Sequence, residues 1–302
     1  MQTPAQTSAT RLARAIDARL ADLTASTRLS AWSLIVTFMG DAIGPRGGEV
    51  SAAALQTLMG RLGIGHGAVR TAISRLSADG WIERQREGRN SFYRLSPDVA
   101  ETVLAAEQRI YAKSSLLPTA TPLNLLMASA PMADSTRRAF EGRGALSLGD
   151  TVLLWFGKAD PAAIQARHPD LTIAELDTLA PGAGLRAQLR EARLSDEFTA
   201  LRAAYQPIEN TLRDGSPPTP EDAMALRCLM IHEWRRIALR VLAIPAGLIA
   251  DDDPEPDARA LVARIYRQTL APSETWLDHH ATTSAGAMPP AAPRLALRFG
   301  PD

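Results

Sequence analysis

Between Ser51 and Leu95 the chain is interrupted at intervals too short for any long element, and this punctuation restricts the fold more than any other feature. Ser51 has a side chain suited to capping a helix, and the apolar periodicity after it predicts a helix to about Arg61. Gly63-Ile64-Gly65 permits a sharp turn into another helix over 67–78. Asp79-Gly80 stops that helix, because glycine tolerates the left-handed conformation. Residues 81–86 and 91–95 read as strands, with Glu87-Gly88-Arg89-Asn90 as their hairpin turn. An earlier helix, 29–42, carries Leu34, Ile35, Phe38 and Met39 on its apolar side. Short helices joined by a tight turn and followed by a hairpin form a winged helix-turn-helix.

The helix at 67–78 has two chemically distinct faces. Val69, Ala72, Ile73 and Leu76 share the side that packs inward. The opposite arc carries Arg70, Thr71, Ser74 and Arg75, with His66 and Gly67 at the entry. Arginine can pair bidentately with guanine in a major groove, and hydroxyls can reach bases or phosphates. The hairpin adds Arg84, Arg86 and Arg89, placed to grip flanking phosphates. Charge is segregated in the same way. Residues 28–97 hold nine arginines against five acidic residues, whereas the whole chain has a formal net charge of zero. A basic N-terminal third on a neutral chain marks a polyanion-binding module. The alternative is a protein-binding winged helix whose arginines are merely solvated.

A length of 302 residues suggests two or three domains, and 46% hydrophobic with 22% charged residues is globular usage. Turn-rich stretches at 114–122, 214–220, 250–257 and 284–293 divide the chain. Residues 123–127, 152–156 and 171–176 look like buried strands, separated by helical patterns around 135–141 and 161–167. That alternation suggests a ferredoxin-like split βαβ. Helices are expected at 196–212, 220–241 and 257–271. The expected fold is therefore α+β and multidomain. An amphipathic helix within 1–27, with Leu12, Ile16 and Leu20 on one stripe, precedes a winged helix-turn-helix domain at 28–113. A ferredoxin-like middle domain at 114–194, a helical C-terminal domain at 195–283 and a loosely held tail at 284–302 follow. No apolar run approaches the ~20 residues that span a bilayer, and no secretory signal is evident. The lone Cys228 excludes a disulfide framework and a cysteine-cluster zinc site, which fits a reducing cytoplasm.

Four runs carry a family resemblance. LIVTFMGDAIGPRGGEV and GHGAVRTAISRLSADGWIERQREGRNSFYRLS resemble the N-terminal domain of the PaaX family, repressors of phenylacetic acid degradation. LRCLMIHEWRRIALRVLAIPAGLI and ARALVARIYRQTLAPSETWL resemble the same family's C-terminal domain, in the expected order. The resemblance puts Arg70, Thr71, Ser74 and Arg75 on a recognition helix and Arg84, Arg86 and Arg89 on a wing. It implies a cytoplasmic repressor, acting as a homodimer on double-stranded operator DNA and released by phenylacetyl-coenzyme A, with no cofactor. The family's middle domain opens with a tryptophan-rich strand; the corresponding SSLLPTATPLNLLMASA has none.

An acyl-coenzyme A effector needs an apolar slot and cations. Trp234 beside His232, Arg235 and Arg236 offers both, although Trp234 also aligns with Met230, Ile237 and Val241 as a core residue does. An enzyme acting on nucleic acid or acyl-coenzyme A is the competing class, with Asp150 and Asp160 beside the strand at 152–156 as its carboxylates. Other enzyme-like signals fail. His232-Glu233 begins a zincin motif, but Arg236 stands where the second histidine belongs. His279-His280 has no carboxylate cluster nearby, and Cys228 lies within an apolar helix without an activating neighbour.

Overall fold

The computed structural model describes residues 4–26, 29–116, 121–215, 218–249 and 251–300. The expected boundary at 27/28, the centres of the turn-rich stretches 114–122 and 214–220, and residue 250 lie outside them. The elements run α1 (Pro4–Ala25), α2 (Ala31–Phe38), β1 (Glu49–Ser51), α3 (Ala52–Arg61), α4 (His66–Ala78), β2 (Ile82–Glu87), β3 (Asn90–Leu95) and α5 (Ala100–Ile110). Next come β4 (Leu123–Ala128), α6 (Asp134–Glu141), β5 (Ala145–Ser147), β6 (Val152–Phe156), α7 (Pro161–Arg167), β7 (Leu171–Leu176) and α8 (Ala183–Ala192). Helices α9 (Ser195–Asp214), α10 (Pro220–Ala238) and α11 (Glu255–His280) follow, then the two-residue strands β8 (Thr282–Thr283) and β9 (Gly286–Ala287). The fold is mixed α+β. Contacts divide it into two compact units, Met1–Ser114 with Ala200–Leu239 and Asp257–Asp302, and Ser115–Thr199 with Arg240–Pro256.

In the first unit α10 is the central helix. Every residue from Ala223 to Trp234 is buried, and the helix packs against α1, α2, α3 and α5. Nine of those twelve residues are apolar, as befits a helix placed inside a core, and Arg227, His232 and Glu233 are buried with them. Elements from the sequence blocks 28–113 and 195–283 thus share one interior. Leu12, Ile16, Leu20 and Leu23 form the buried stripe of α1. Strands β1, β3 and β2 make an antiparallel sheet in that order.

Three departures from the sequence reading have physical causes. The helix expected over 29–42 is α-helical only to Phe38, after which a π-helical turn spans Met39–Ile43. That turn carries Asp41 into the interior, where it accepts hydrogen bonds from Arg227 Nε (2.7 Å), Arg298 Nη1 (2.8 Å) and the Tyr111 and Tyr266 hydroxyls. The expected loose tail is instead held. Leu295, Arg298 and Phe299 are buried, and the Phe299 ring sits 5.4 Å from both Tyr111 and Tyr266. Its proline- and alanine-rich composition carries no periodic sign of that anchorage. Helix α11 passes through Pro272, where termination was expected, because Trp276 and Leu277 beyond it are buried.

In the second unit the strand order is β5-β6-β4-β7, every neighbouring pair antiparallel. Leu126, Leu153 and Leu171 pack with Phe140 of α6 and Ile164 of α7 on one face. Leu123, Leu154 and Phe156 pack with Leu189 of α8 and Ile244 on the other. Burial on both faces explains why β6 reads as an unbroken apolar run. Among the described residues no helix is long and apolar enough to cross a membrane.

Candidate nucleic-acid interface

Local chemistry fixes the elements that form this surface. Ser51 caps α3, its hydroxyl accepting from Ala54 N–H at 3.4 Å. Helices α3 and α4 end in the same way. Ile64 N–H bonds to Met59 C=O at 2.9 Å and Trp81 N–H to Leu76 C=O at 2.8 Å, with Gly63 and Gly80 left-handed just before. These are Schellman terminations, which need a residue free of Cβ strain at that position. Gly88, at φ +59°, takes the first of the two loop positions between β2 and β3.

These stops orient α4. Val69, Ala72 and Leu76 are buried and Ile73 is partly so, while Arg70, Thr71, Ser74 and Arg75 are exposed together with His66. Arg84, Arg86 and Arg89 are exposed on the hairpin. The Thr71 hydroxyl donates back to Gly67 C=O at 3.0 Å, and Arg84 donates two hydrogen bonds to the Ser91 hydroxyl. A cleft of about 410 Å³ brings His66 and Arg70 of α4 together with Arg84, Ser91 and Tyr93 of the hairpin. Residues 52–78 contain no Asp or Glu of their own, and the carboxylates that do reach α3, Asp17 and Asp222, pair with Arg61 at its end. Among the described residues none of the five arginines here pairs with a carboxylate. Uncompensated guanidiniums on one face attract a polyanion and release its counterions.

The second group is arranged differently. His232 and Trp234 are buried within α10; His232 Nδ1 lies 3.4 Å from the Thr37 hydroxyl, and Trp234 Nε1 donates to Ile110 C=O at 2.8 Å. Arg235 donates to Thr37 Oγ1 at 2.6 Å and to Ser33, and lines a cavity with Val36, Trp81, Val103 and Ile231. Arg236 is exposed. Sequence reasoning missed the α5 wall of that cavity, although Val103, Ala106 and Ile110 recur at helical spacing.

The enzyme-like residues have structural work. Glu233 accepts from Arg19 and from the Tyr205 hydroxyl, at 2.6 Å for the latter. Asp150 pairs with Arg137 at 3.1 Å, and Asp160 caps α7 through Ala163 N–H. His280 stacks on Trp276. Burial pushes the Cys228 thiol up, the opposite of activation. Among the described residues no three potential metal ligands cluster.

Comparisons with known proteins identify a family. A family model described as PaaX-like protein matches residues 30–99, the stretch holding α2 to β3. A second, described as PaaX-like protein C-terminal domain, matches 190–279. The transcriptional repressor PaaX of Escherichia coli strain K12 is 28% identical over 297 residues, 90% of each chain. A solved structure of an uncharacterized Mycobacterium tuberculosis protein shares the fold, with a TM-score of 0.50 and 16% identity over 82% of this chain and 98% of its own. Two models of one family, matched in order at the basic helical surface and at the helices around α10, show that the chain belongs to the PaaX-like proteins.

Proposed function

We propose that this chain is a DNA-binding transcriptional repressor in which residues 28–113 act as a winged helix-turn-helix. The observation that carries the reading is the set of exposed arginines without carboxylate partners on α4 and the hairpin, two of which, Arg70 and Arg84, line one cleft. Helix α4 enters the major groove, where Arg70, Thr71, Ser74 and Arg75 meet base edges with His66 at the entry. Arg84, Arg86 and Arg89 grip the flanking backbone. Residues 114–194 act as a ferredoxin-like domain, a reading supported by the strand order β5-β6-β4-β7. Residues 195–283 act as the family's helical C-terminal domain.

The protein works in the cytoplasm as a homodimer, so that two α4 helices meet half-sites of an inverted repeat one or more helical turns apart. Likeness to the repressor PaaX supports control of phenylacetate or related aromatic catabolism genes. Release follows when an aryl-acyl-coenzyme A such as phenylacetyl-coenzyme A binds the DNA-incompetent state preferentially. The protein is a regulator and not an enzyme.

Titrating promoter fragments at several salt concentrations tests the assignment. Arg75→Ala should cost about 1–3 kcal/mol and relax base preference, whereas Arg89→Ala should weaken all sequences alike and lower the salt slope by about 1. If both substitutions leave binding unchanged, α4 and the hairpin are not the DNA surface.

A further inference from the structure

The cavity beside Arg235 is built for a particular chemistry. It has a volume of about 130 Å³ and is walled by Val36, Val103, Ala106, Ile110, Ile231 and Leu239. An enclosed apolar cavity of about 150 Å³ takes up benzene. This one is slightly smaller but opens outward past exposed Thr102, so its size suits one ring and no more, with any substituent directed out. One cation stands at its edge. Arg235 Nε and Nη2 are engaged by Thr37 and Ser33, while Nη1 has no protein partner among the described residues. Burial lowers the Arg235 pKa, as expected for a guanidinium with no carboxylate against it. The carboxylates that also line the cavity, Asp41 and Glu107, are already paired with Arg227 and Arg298. Exposed Thr102 lies among the lining residues, so a substituent on a bound ring has a route outward.

The same cavity touches the DNA-facing helix through one residue. Trp81 contributes its side chain to the wall and stacks edge-on against Trp32, with ring centroids 5.3 Å apart. Its N–H terminates α4 at Leu76 C=O, and its C=O accepts from Ser96 N–H at the end of β3. Anything that moves the indole pulls on the end of α4 and the base of the hairpin together.

We infer that this cavity binds a single apolar ring bearing a carboxyl or thioester carbonyl, with Arg235 Nη1 donating to the carbonyl oxygen and Trp81 passing occupancy to α4. The inference rests on the effector reading above and gives it a location. Free acid and thioester present the same ring and carbonyl, so the assay compares both.

The test uses the full chain with phenylacetate, phenylacetyl-coenzyme A and coenzyme A as probes, read by calorimetry and separately by DNA-binding anisotropy. Phenylacetate or its thioester should bind, and binding should quench tryptophan fluorescence in the parent but much less in Trp81→Phe. Ala106→Phe, which fills the cavity, and Arg235→Gln, which removes the cation, should each weaken probe binding about tenfold or more. Both variants should keep ligand-free DNA affinity, which shows that they fold. Failure of all three probes to bind the parent, binding driven by coenzyme A alone, or parent-like binding in both variants overturns the site. If the thioester releases DNA equally from the parent and both variants, the effector reading stands and this location falls. If the parent ignores DNA altogether, the repressor reading falls while calorimetry still judges the cavity.

Discussion

Replacing Arg298 by methionine distinguishes sharply between two views of the C-terminal segment. The methionine keeps an apolar stem but deletes every charged contact. Those contacts are Nη1 to the Asp41 carboxylate and backbone oxygen, both at 2.8 Å, Nη1 to the Tyr266 hydroxyl, and Nε at 3.2 Å and Nη2 at 2.7 Å to Glu107. The guanidinium also lies 3.8 Å from the Tyr111 ring centroid. Asp41 is only 3% exposed, so its charge cannot turn to water once Arg298 is gone. Removing one partner of a buried pair costs about 3–5 kcal/mol. Arg227 still holds Asp41 at 2.7 Å, which places the expected loss near the lower end, about 3 kcal/mol. Substitution in a loosely held tail would cost no more than about 0.5 kcal/mol. Urea unfolding followed by tryptophan fluorescence reads the right unit, since Trp32, Trp81, Trp234 and Trp276 all belong to it. With a slope of about 2–3 kcal/mol/M, the midpoint should fall by about 1–1.5 M. A shift under about 0.25 M would refute the anchoring role of Arg298.

Two further outcomes follow from the same unit. Burial pushes the Asp41 carboxyl up, but Arg227, Arg298 and the Tyr111 hydroxyl overcome this and hold it below the usual carboxylate range. A depressed folded pKa adds stability that is complete above about pH 4 and lost as pH falls through the lowered folded value. Asp41→Asn should therefore be less stable at pH 7 and show a flatter acid limb, measured as urea midpoints between pH 2 and 7; parallel curves would contradict the sign. Gly80→Ala meets no atom within 4 Å, so its cost is the strain of φ +71° alone, about 1–2 kcal/mol in the same urea assay. A neutral result would mean that the α4 terminus relaxes without needing the left-handed turn.

What the sequence made legible was local. Ser51, Gly63, Gly80 and Gly88 each act within a few residues of themselves, so the boundaries of α3, α4 and the hairpin could be placed from composition and spacing. The exposed face of α4 followed because Val69, Ala72 and Leu76 repeat with the helical period. Features set by distant partners were hidden. Asp41, Arg227 and Arg298 come together from three separate parts of the chain, and no spacing rule links them. Nothing in the string MGDAI announces a π-helical turn, since its advantage is the approach of Asp41 to Arg227. In the sequence His232 and Trp234 offer an anion-and-aromatic surface beside the core alignment of Trp234 with Met230, Ile237 and Val241, because helical spacing shows only which residues share a face. It does not show that every residue from Ala223 to Trp234 is buried while Arg236 stays exposed.

The buried charges bear on how α4 is presented. A cluster of Asp41, Arg227, Arg298 and Glu107 adds little net stability over an apolar core of equal volume, because desolvation cancels most of the attraction. What it does impose is geometry. A slip of one turn between α2 and α10 would leave Asp41 charged, unpaired and out of reach of water, whereas an apolar contact would slide at small cost. Helix α4 packs directly on α2, so fixing α2 against α10 also fixes the platform on which the arginine face stands. The cavity walled by α2, α5 and α10 lies between these fixed contacts, and a ligand there acts against a frame that cannot simply yield. Strain from an occupied cavity is then directed to Trp81, whose ring is only partly buried and whose backbone ends α4.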